Sequence, residues 1–196
     1  MMEIYIIRHG ETRWNSKKRL QGSIDIPLNE NGRAVAIEAG ERLDNVEFDA
    51  IYSSPLIRAY ETACLIRGRK NIPIIRDDRL KEMNFGVNEG QCKTEMEKDE
   101  TNPFNYFFNA PEKYFPPENG ESFEELCDRT KEFMQKIIEP LDGKMNRVMI
   151  VGHGAMNKAI MCYVLNHGIE HFWDGGLQKN CGSLIVKYEE GKYSLC

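Results

Sequence analysis

Apolar residues along this chain fall into two alternating patterns, short runs rich in β-branched residues and longer stretches with helical spacing. Residues 3–8 and 50–53 read as strands. Residues 72–76 contain Pro73 and read as a strand near a sheet edge, because proline cannot donate to a ladder. Residues 147–152 are nearly all apolar, as expected of a central strand covered on both faces. Residues 183–188 and 192–195, joined at Glu189-Glu190-Gly191, read as a terminal hairpin. Between the strands, residues 29–43 place Ala34, Ile37, Ala39 and Leu43 near one helical stripe. Residues 55–66 follow Ser53-Ser54-Pro55, a cap with proline at an early helical position. Residues 121–138 open on Ser122 with Glu125 three residues on, a capping box, and present Phe123, Leu126, Thr130, Phe133 and Ile137 on one face. Residues 155–165 read as a fourth helix. Strands alternating with helices predict an α/β fold, a three-layer α/β/α sandwich on a mostly parallel central sheet.

One irregular stretch interrupts this order. Residues 86–120 carry Pro103, Pro111, Pro116 and Pro117, with six aromatics between Phe104 and Phe115. Such an insertion in a compact domain is usually functional or mobile. Its aromatics either anchor the loop to the core or wall a binding site. The remainder predicts a single domain over residues 1–196, with 86–120 as its insertion or lid.

Composition narrows the function classes. A net charge of -5 offers no polyanion-binding surface, so neither nucleic acid nor a membrane is an expected partner. The start of the chain lacks the features of a signal peptide, and no stretch is long enough to span a bilayer, which predicts a cytoplasmic protein. Six cysteines lie far apart with no C-x-x-C pair and read as reduced, mostly buried thiols. The His167/His171 pair has Gly168 between its members and no acidic or thiol third ligand at useful spacing, so no metal site is expected. Gly152-x-Gly154-x-x-Asn157 lacks the third glycine of a dinucleotide fingerprint. Neither a nucleophile elbow nor a P-loop is present.

In open α/β sheets, ligands collect outside the carboxyl ends of the strands. Three of those ends here read Arg8-His9-Gly10-Glu11-Thr12, Ser53-Ser54-Pro55-Leu56-Ile57-Arg58 and Gly152-His153-Gly154, and the third strand leads on to Leu80-Lys81-Glu82. Each motif alone is common; their shared topological position carries the inference. Arginine forks suit a phosphate dianion. Gly10 and Gly154 let backbone amides approach it, and the helix after Gly154 would aim its positive end there. A neutral imidazole attacking phosphorus gives a phosphohistidine, and Glu82, enclosed in the same pocket, is the candidate donor of a proton to the leaving alkoxide and the later base for water.

Arg8-His9-Gly10-Glu11-Thr12-x-x-Asn15 resembles the signature of the histidine phosphatase superfamily, its phosphoglycerate mutase-like branch. The likeness continues through Leu20-Gln21-Gly22, Ser53-Ser54-Pro55-Leu56-x-Arg58-Ala59-x-x-Thr62-Ala63, Leu80-x-Glu82-x-x-Phe85-Gly86-x-x-Glu89-Gly90, Val151-Gly152-His153-Gly154 and Asn180-Cys181. The resemblance implies a phosphoglycerate mutase-like fold, with His9 as the phosphorylated nucleophile and Glu82 as proton donor. It implies that Arg8, Arg58 and His153 form the phosphate pocket, that Asn15 and the Gly154 amide add hydrogen bonds, and that Gln21 and Gly22 touch the substrate side. No metal and no diffusible cofactor is implied. The stretch 91–100 is acidic on balance and lacks the basic pair of sugar-acid mutases, so a phosphatase is expected, a phosphoric monoester hydrolase acting on a small-molecule phosphate ester as monomer or homodimer. A mutase and a catalytically lapsed phosphate-binding module are the alternatives. The loop aromatics together with Lys113 point to a bulky organic phosphomonoester.

Overall fold

The computed structural model describes residues 1–96, 98, 99 and 101–196. In chain order the elements are β1 (Met2–Arg8), α1 (Arg13–Ser16), α2 (Glu30–Arg42), β2 (Ala50–Ser53), α3 (Ile57–Arg67), β3 (Ile74–Arg76), α4 (Lys93–Met96) and α5 (Asn105–Asn109). They continue with α6 (Phe123–Phe133), β4 (Arg147–Gly152), α7 (Gly154–Leu165), β5 (Ser183–Glu189) and β6 (Lys192–Leu195). The strands form one sheet in the order β3-β2-β4-β1-β5-β6. Pairings from β3 to β1 are parallel, and β5 runs antiparallel to both of its neighbours. The strand containing the apolar run is central and the one following Pro73 is an edge, as their sequences predict.

Side-chain alternation divides the core into two layers. Ile4, Ile6, Val148, Ile150, Ala50 and Tyr52 face the side covered by α6 and α7. Tyr5, Ile7, Met149, Val151 and Ile51 face the side covered by α2 and α3. Burial on both faces explains why β1 and β4 read as continuous apolar runs. Among the described residues, no helix is long and apolar enough to cross a membrane.

Three local expectations need correction. First, α2 buries Gly32, Ala36 and Ala39, while Ile37 is exposed. The helix turns its small residues inward because a Cβ at Gly32 would collide with the Glu11 backbone and Gly40 lies against the backbone of Ile66. Close approach, rather than hydrophobicity, sets its phase. Second, α3 begins at Ile57, with its first amide held by Asp25 Oδ1 (2.7 Å) rather than by a Ser53-Ser54-Pro55 cap. Third, all six cysteines are free, yet only Cys162 and Cys181 are buried.

The insertion holds α4 and α5 rather than irregular chain alone. Its aromatics divide between roles. Phe104 and Phe107 are buried and stacked at 4.9 Å, with Phe107 in turn stacked on Phe123, whereas Tyr106 and Phe115 are exposed. Glu97 and Glu100, which contribute to the acidic balance of this stretch, lie outside the described residues.

α6 carries the expected capping box, with Ser122 Oγ accepting from Glu125 N (3.1 Å) and Glu125 Oε2 accepting from Ser122 N (2.8 Å). Ser122→Ala is expected to cost about 1 kcal/mol in urea unfolding. An unchanged midpoint would show that the cap contributes nothing.

Candidate active site

The site lies where β1, β2 and β4 end. His9 N donates to Gly152 O (2.9 Å), which extends the β1–β4 pairing one residue beyond the ladder. Two further ties hold this corner: Gly10 N donates to Thr62 Oγ1 of α3 (3.0 Å), and Asn180 Nδ2 donates to His9 O (2.8 Å). His9 is 3% exposed, and its ring has Nδ1 at 2.6 Å from Gly10 O. A carbonyl can only accept, so Nδ1 bears the proton and Nε2 keeps its lone pair. That is the tautomer a nucleophile needs.

His153 occupies the position just before α7, and the rings of His9 and His153 lie 5.2 Å apart. Its Nδ1 accepts from Arg58 Nε (3.2 Å), because an arginine only donates, and its Nε2 therefore donates to Ser54 Oγ (2.8 Å). Both nitrogens are occupied, and the ring sits behind Arg58 instead of lining the cavity. The longer guanidinium takes the place facing the cavity that the sequence offered to both residues.

Arg58 is wholly buried on α3, with Nη1 donating to Ile24 O (2.8 Å) and Nη2 to Gly22 O (2.6 Å). Burial pushes its pKa down to about 10, against the opposing pull of Glu82, Asp25 and Glu89. Arg8 donates from Nη1 to Gln178 O (2.6 Å), while its Nε is buried without a hydrogen-bond partner among the described residues. Burial lowers the Arg8 pKa as well, opposed by Glu82 and Cys181. Both imidazoles are held well below the ordinary histidine range, first by burial and then by the Arg58 charge.

Glu82 sits differently from the sequence expectation. Its carboxylate caps α7, accepting from Gly154 N (3.0 Å), Ala155 N (3.3 Å) and Met156 N (3.0 Å), and from its own neighbour Met83 N (3.0 Å). The positive end of α7 is therefore turned to a carboxylate of the protein, and the Gly154 amide is engaged there. Both Glu82 and Gly154 nonetheless line the cavity.

A network missed at the sequence level orients the two amides. Thr12 N donates to Asn15 Oδ1 (3.0 Å), and Thr12 Oγ1 donates to Gln21 Oε1 (2.9 Å). With both carbonyl oxygens held, the NH₂ groups of Asn15 and Gln21 are left as donors to the cavity they line. Thr12, Thr62 and Asn180 stood inside the recognised motifs, but nothing in their spacing revealed which partner each would hold.

The cavity measures about 510 Å³. Its polar lining includes Arg8, His9, Asn15, Gln21, Gly22, Arg58 and Asn180, with the carboxylates of Glu11 and Glu82. Phe107, Phe108, Trp173 and Leu177 form an apolar wall, so the insertion aromatics serve both as anchors and as wall. Lys18, Arg19 and Lys93 supply the basic rim; Lys113 does not line the cavity.

The family model of the histidine phosphatase superfamily (branch 1) matches residues 4–195. Phosphoserine phosphatase 1 of Hydrogenobacter thermophilus is 30% identical over 190 residues, covering 97% of this chain and 88% of that protein. A probable phosphoglycerate mutase, GpmB of Salmonella choleraesuis, is 30% identical over 194 residues, covering 98% and 88%. The solved structure of Bacillus stearothermophilus YhfR superposes with a TM-score of 0.92 at 36% identity, covering 100% of this chain and 96% of that one.

The imidazole shifts have a testable sign. Burial disfavours the charged ring, so His9 and His153 should titrate in histidine NMR with midpoints below 6.5. The stability they contribute is complete above the unfolded value of about 6.5 and is lost as pH falls through the folded values. A midpoint at or above 6.5 for either ring would contradict the assignment.

Proposed function

This chain belongs to branch 1 of the histidine phosphatase superfamily and is a phosphatase, and from that premise we propose that it hydrolyses a small-molecule phosphomonoester through a phosphohistidine at His9. The observation that supports this most directly is the buried His9 ring, its Nδ1 turned to the Gly10 carbonyl so that Nε2 is left for attack, beside Arg8 and Arg58 at one end of a cavity.

The chemistry balances in two steps. Nε2 of His9 attacks phosphorus, a P–N bond forms as the ester P–O bond breaks, and the leaving alkoxide takes a proton from Glu82. Water then attacks the phosphorus, giving its proton to the Glu82 carboxylate while the P–N bond breaks and inorganic phosphate leaves. Arg8 and Arg58 stabilise the charge on the transferring oxygens, with the amide donors of Asn15 and Gln21 beside them. His153 acts by holding the Arg58 fork. The Gly154 amide becomes available to a phosphoryl oxygen when Glu82 turns from its cap toward the leaving group. The reading invokes no metal and no diffusible cofactor.

The organic part of the substrate faces the wall of Phe108, Trp173 and Leu177. We read residues 86–120 as a lid within one domain of 196 residues, and the enzyme as cytoplasmic, working as monomer or homodimer. A mutase uses the same pocket but shelters the phosphohistidine until the substrate takes the group back, and the likeness to GpmB keeps that reading as the alternative.

Hydrolysis of an aryl phosphate tests the proposal. His9→Ala is expected to lower kcat at least about 10³-fold, and equal rates would overturn the nucleophile assignment. With 3-phosphoglycerate and a bisphosphoglycerate primer, inorganic phosphate should be released without build-up of the 2-isomer. Rapid interconversion of the isomers would favour the mutase.

A further inference from the structure

Glu89 lies outside the cavity lining, yet its carboxylate binds a loop on which the site depends. Oε1 accepts from Ser23 N (2.7 Å), Ser23 Oγ (2.9 Å) and Phe85 N (3.2 Å), and Oε2 accepts from Ile24 N (3.1 Å). Gly22 makes this approach possible: it adopts φ +53°, and a Cβ there would collide with Glu89 Oε1. On the opposite side of the same loop, the carbonyls of Gly22 and Ile24 hold the two Nη atoms of Arg58. A single thickness of backbone therefore separates a carboxylate outside from a buried guanidinium inside.

The separation has a chemical consequence. A carboxylate paired directly with Arg58 would offset its charge but occupy the fork. From behind the loop, Glu89 acts on the charge through space and consumes none of the donors. Of the five N–H groups of an arginine, three are engaged, by His153, Ile24 and Gly22, which leaves two for an anion. We propose that Glu89 is a positioning residue for phosphoryl binding, acting through residues 22–24 to fix the Arg58 fork with two N–H groups uncommitted. The inference rests on the phosphatase reading above.

A pH readout distinguishes this role from simple loop bracing. The groups facing Arg58 are Glu82, Asp25 and Glu89, which favour its charge, together with Arg8, which opposes it, His9, on which its charge acts, and His153, which accepts its Nε–H. Removing the Glu89 charge deletes one favourable contribution, so the alkaline loss of phosphate binding should move to lower pH in E89Q.

The test measures binding of inorganic phosphate by calorimetry and the kinetics of an aryl phosphate, for wild type, E89Q, R58K and the double variant. E89Q is expected to weaken phosphate binding and raise KM about tenfold, with a much smaller change in kcat and an alkaline limb shifted downward. In the R58K background the same change should shrink to less than about twofold, because the two residues act as one unit. Wild-type phosphate affinity, KM and limb in E89Q, or an equal loss in both backgrounds, would overturn the proposal. R58K with wild-type phosphate affinity would instead overturn the pocket reading itself, and the role of Glu89 with it. If E89Q does not fold, Ser23→Ala removes one donor to the same carboxylate, and a loss of about two- to threefold is expected. Unchanged affinity there counts against the proposal.

Discussion

The structure depends on burying a wholly enclosed arginine beside two neutral imidazoles at one edge of a parallel sheet. Removing a guanidinium from water is costly, and the cost is tolerable only where each of its nitrogens finds a partner and opposite charge stands nearby. Arg58 meets the first condition with an imidazole nitrogen and two loop carbonyls, and the second with Glu82, Asp25 and Glu89, none of which takes its fork. The arrangement leaves positive charge directed at a cavity in a chain whose net charge is negative. A local cluster, rather than the field of the whole molecule, has to attract the substrate.

The same burial prepares the nucleophile. Desolvation together with the neighbouring arginines keeps His9 uncharged, and the Gly10 carbonyl selects the tautomer that leaves Nε2 available. Thr62 and Asn180 hold the N–H and the carbonyl of the one peptide group that follows that ring, so its aim is set by α3 and by the segment before β5. Glu82 rests on the first amides of α7, so the helix end that the sequence offers to a phosphate is held by the residue proposed as proton donor. In the mechanism proposed above, capping and proton transfer draw on this one carboxylate, which would turn between the two.

Much of this was legible beforehand. Strand–helix alternation predicted the layers, the apolar run of residues 147–152 its central place, and Pro73 an edge. The Ser122–Glu125 spacing predicted a capping box that forms. Other features were hidden because they depend on close contacts between distant segments. The phase of α2 follows the approach of Gly32 to Glu11, which no hydrophobic pattern encodes. The cap of α3 comes from Asp25, more than thirty positions upstream of Ile57, and a local reading of Ser53-Ser54-Pro55 could not find it.

The chemistry is written along the chain, since residue type and order already show imidazole and guanidinium at or just beyond strand ends and a carboxylate downstream of the edge strand. How those groups are arranged around the cavity emerges once the chain is folded. His153 stands behind Arg58, Glu82 lies on α7, and Glu89 faces Arg58 across a loop, because direction and depth arise from packing between elements that meet only once the sheet is assembled. Spacing along a chain carries no information about which of two side chains reaches a cavity first.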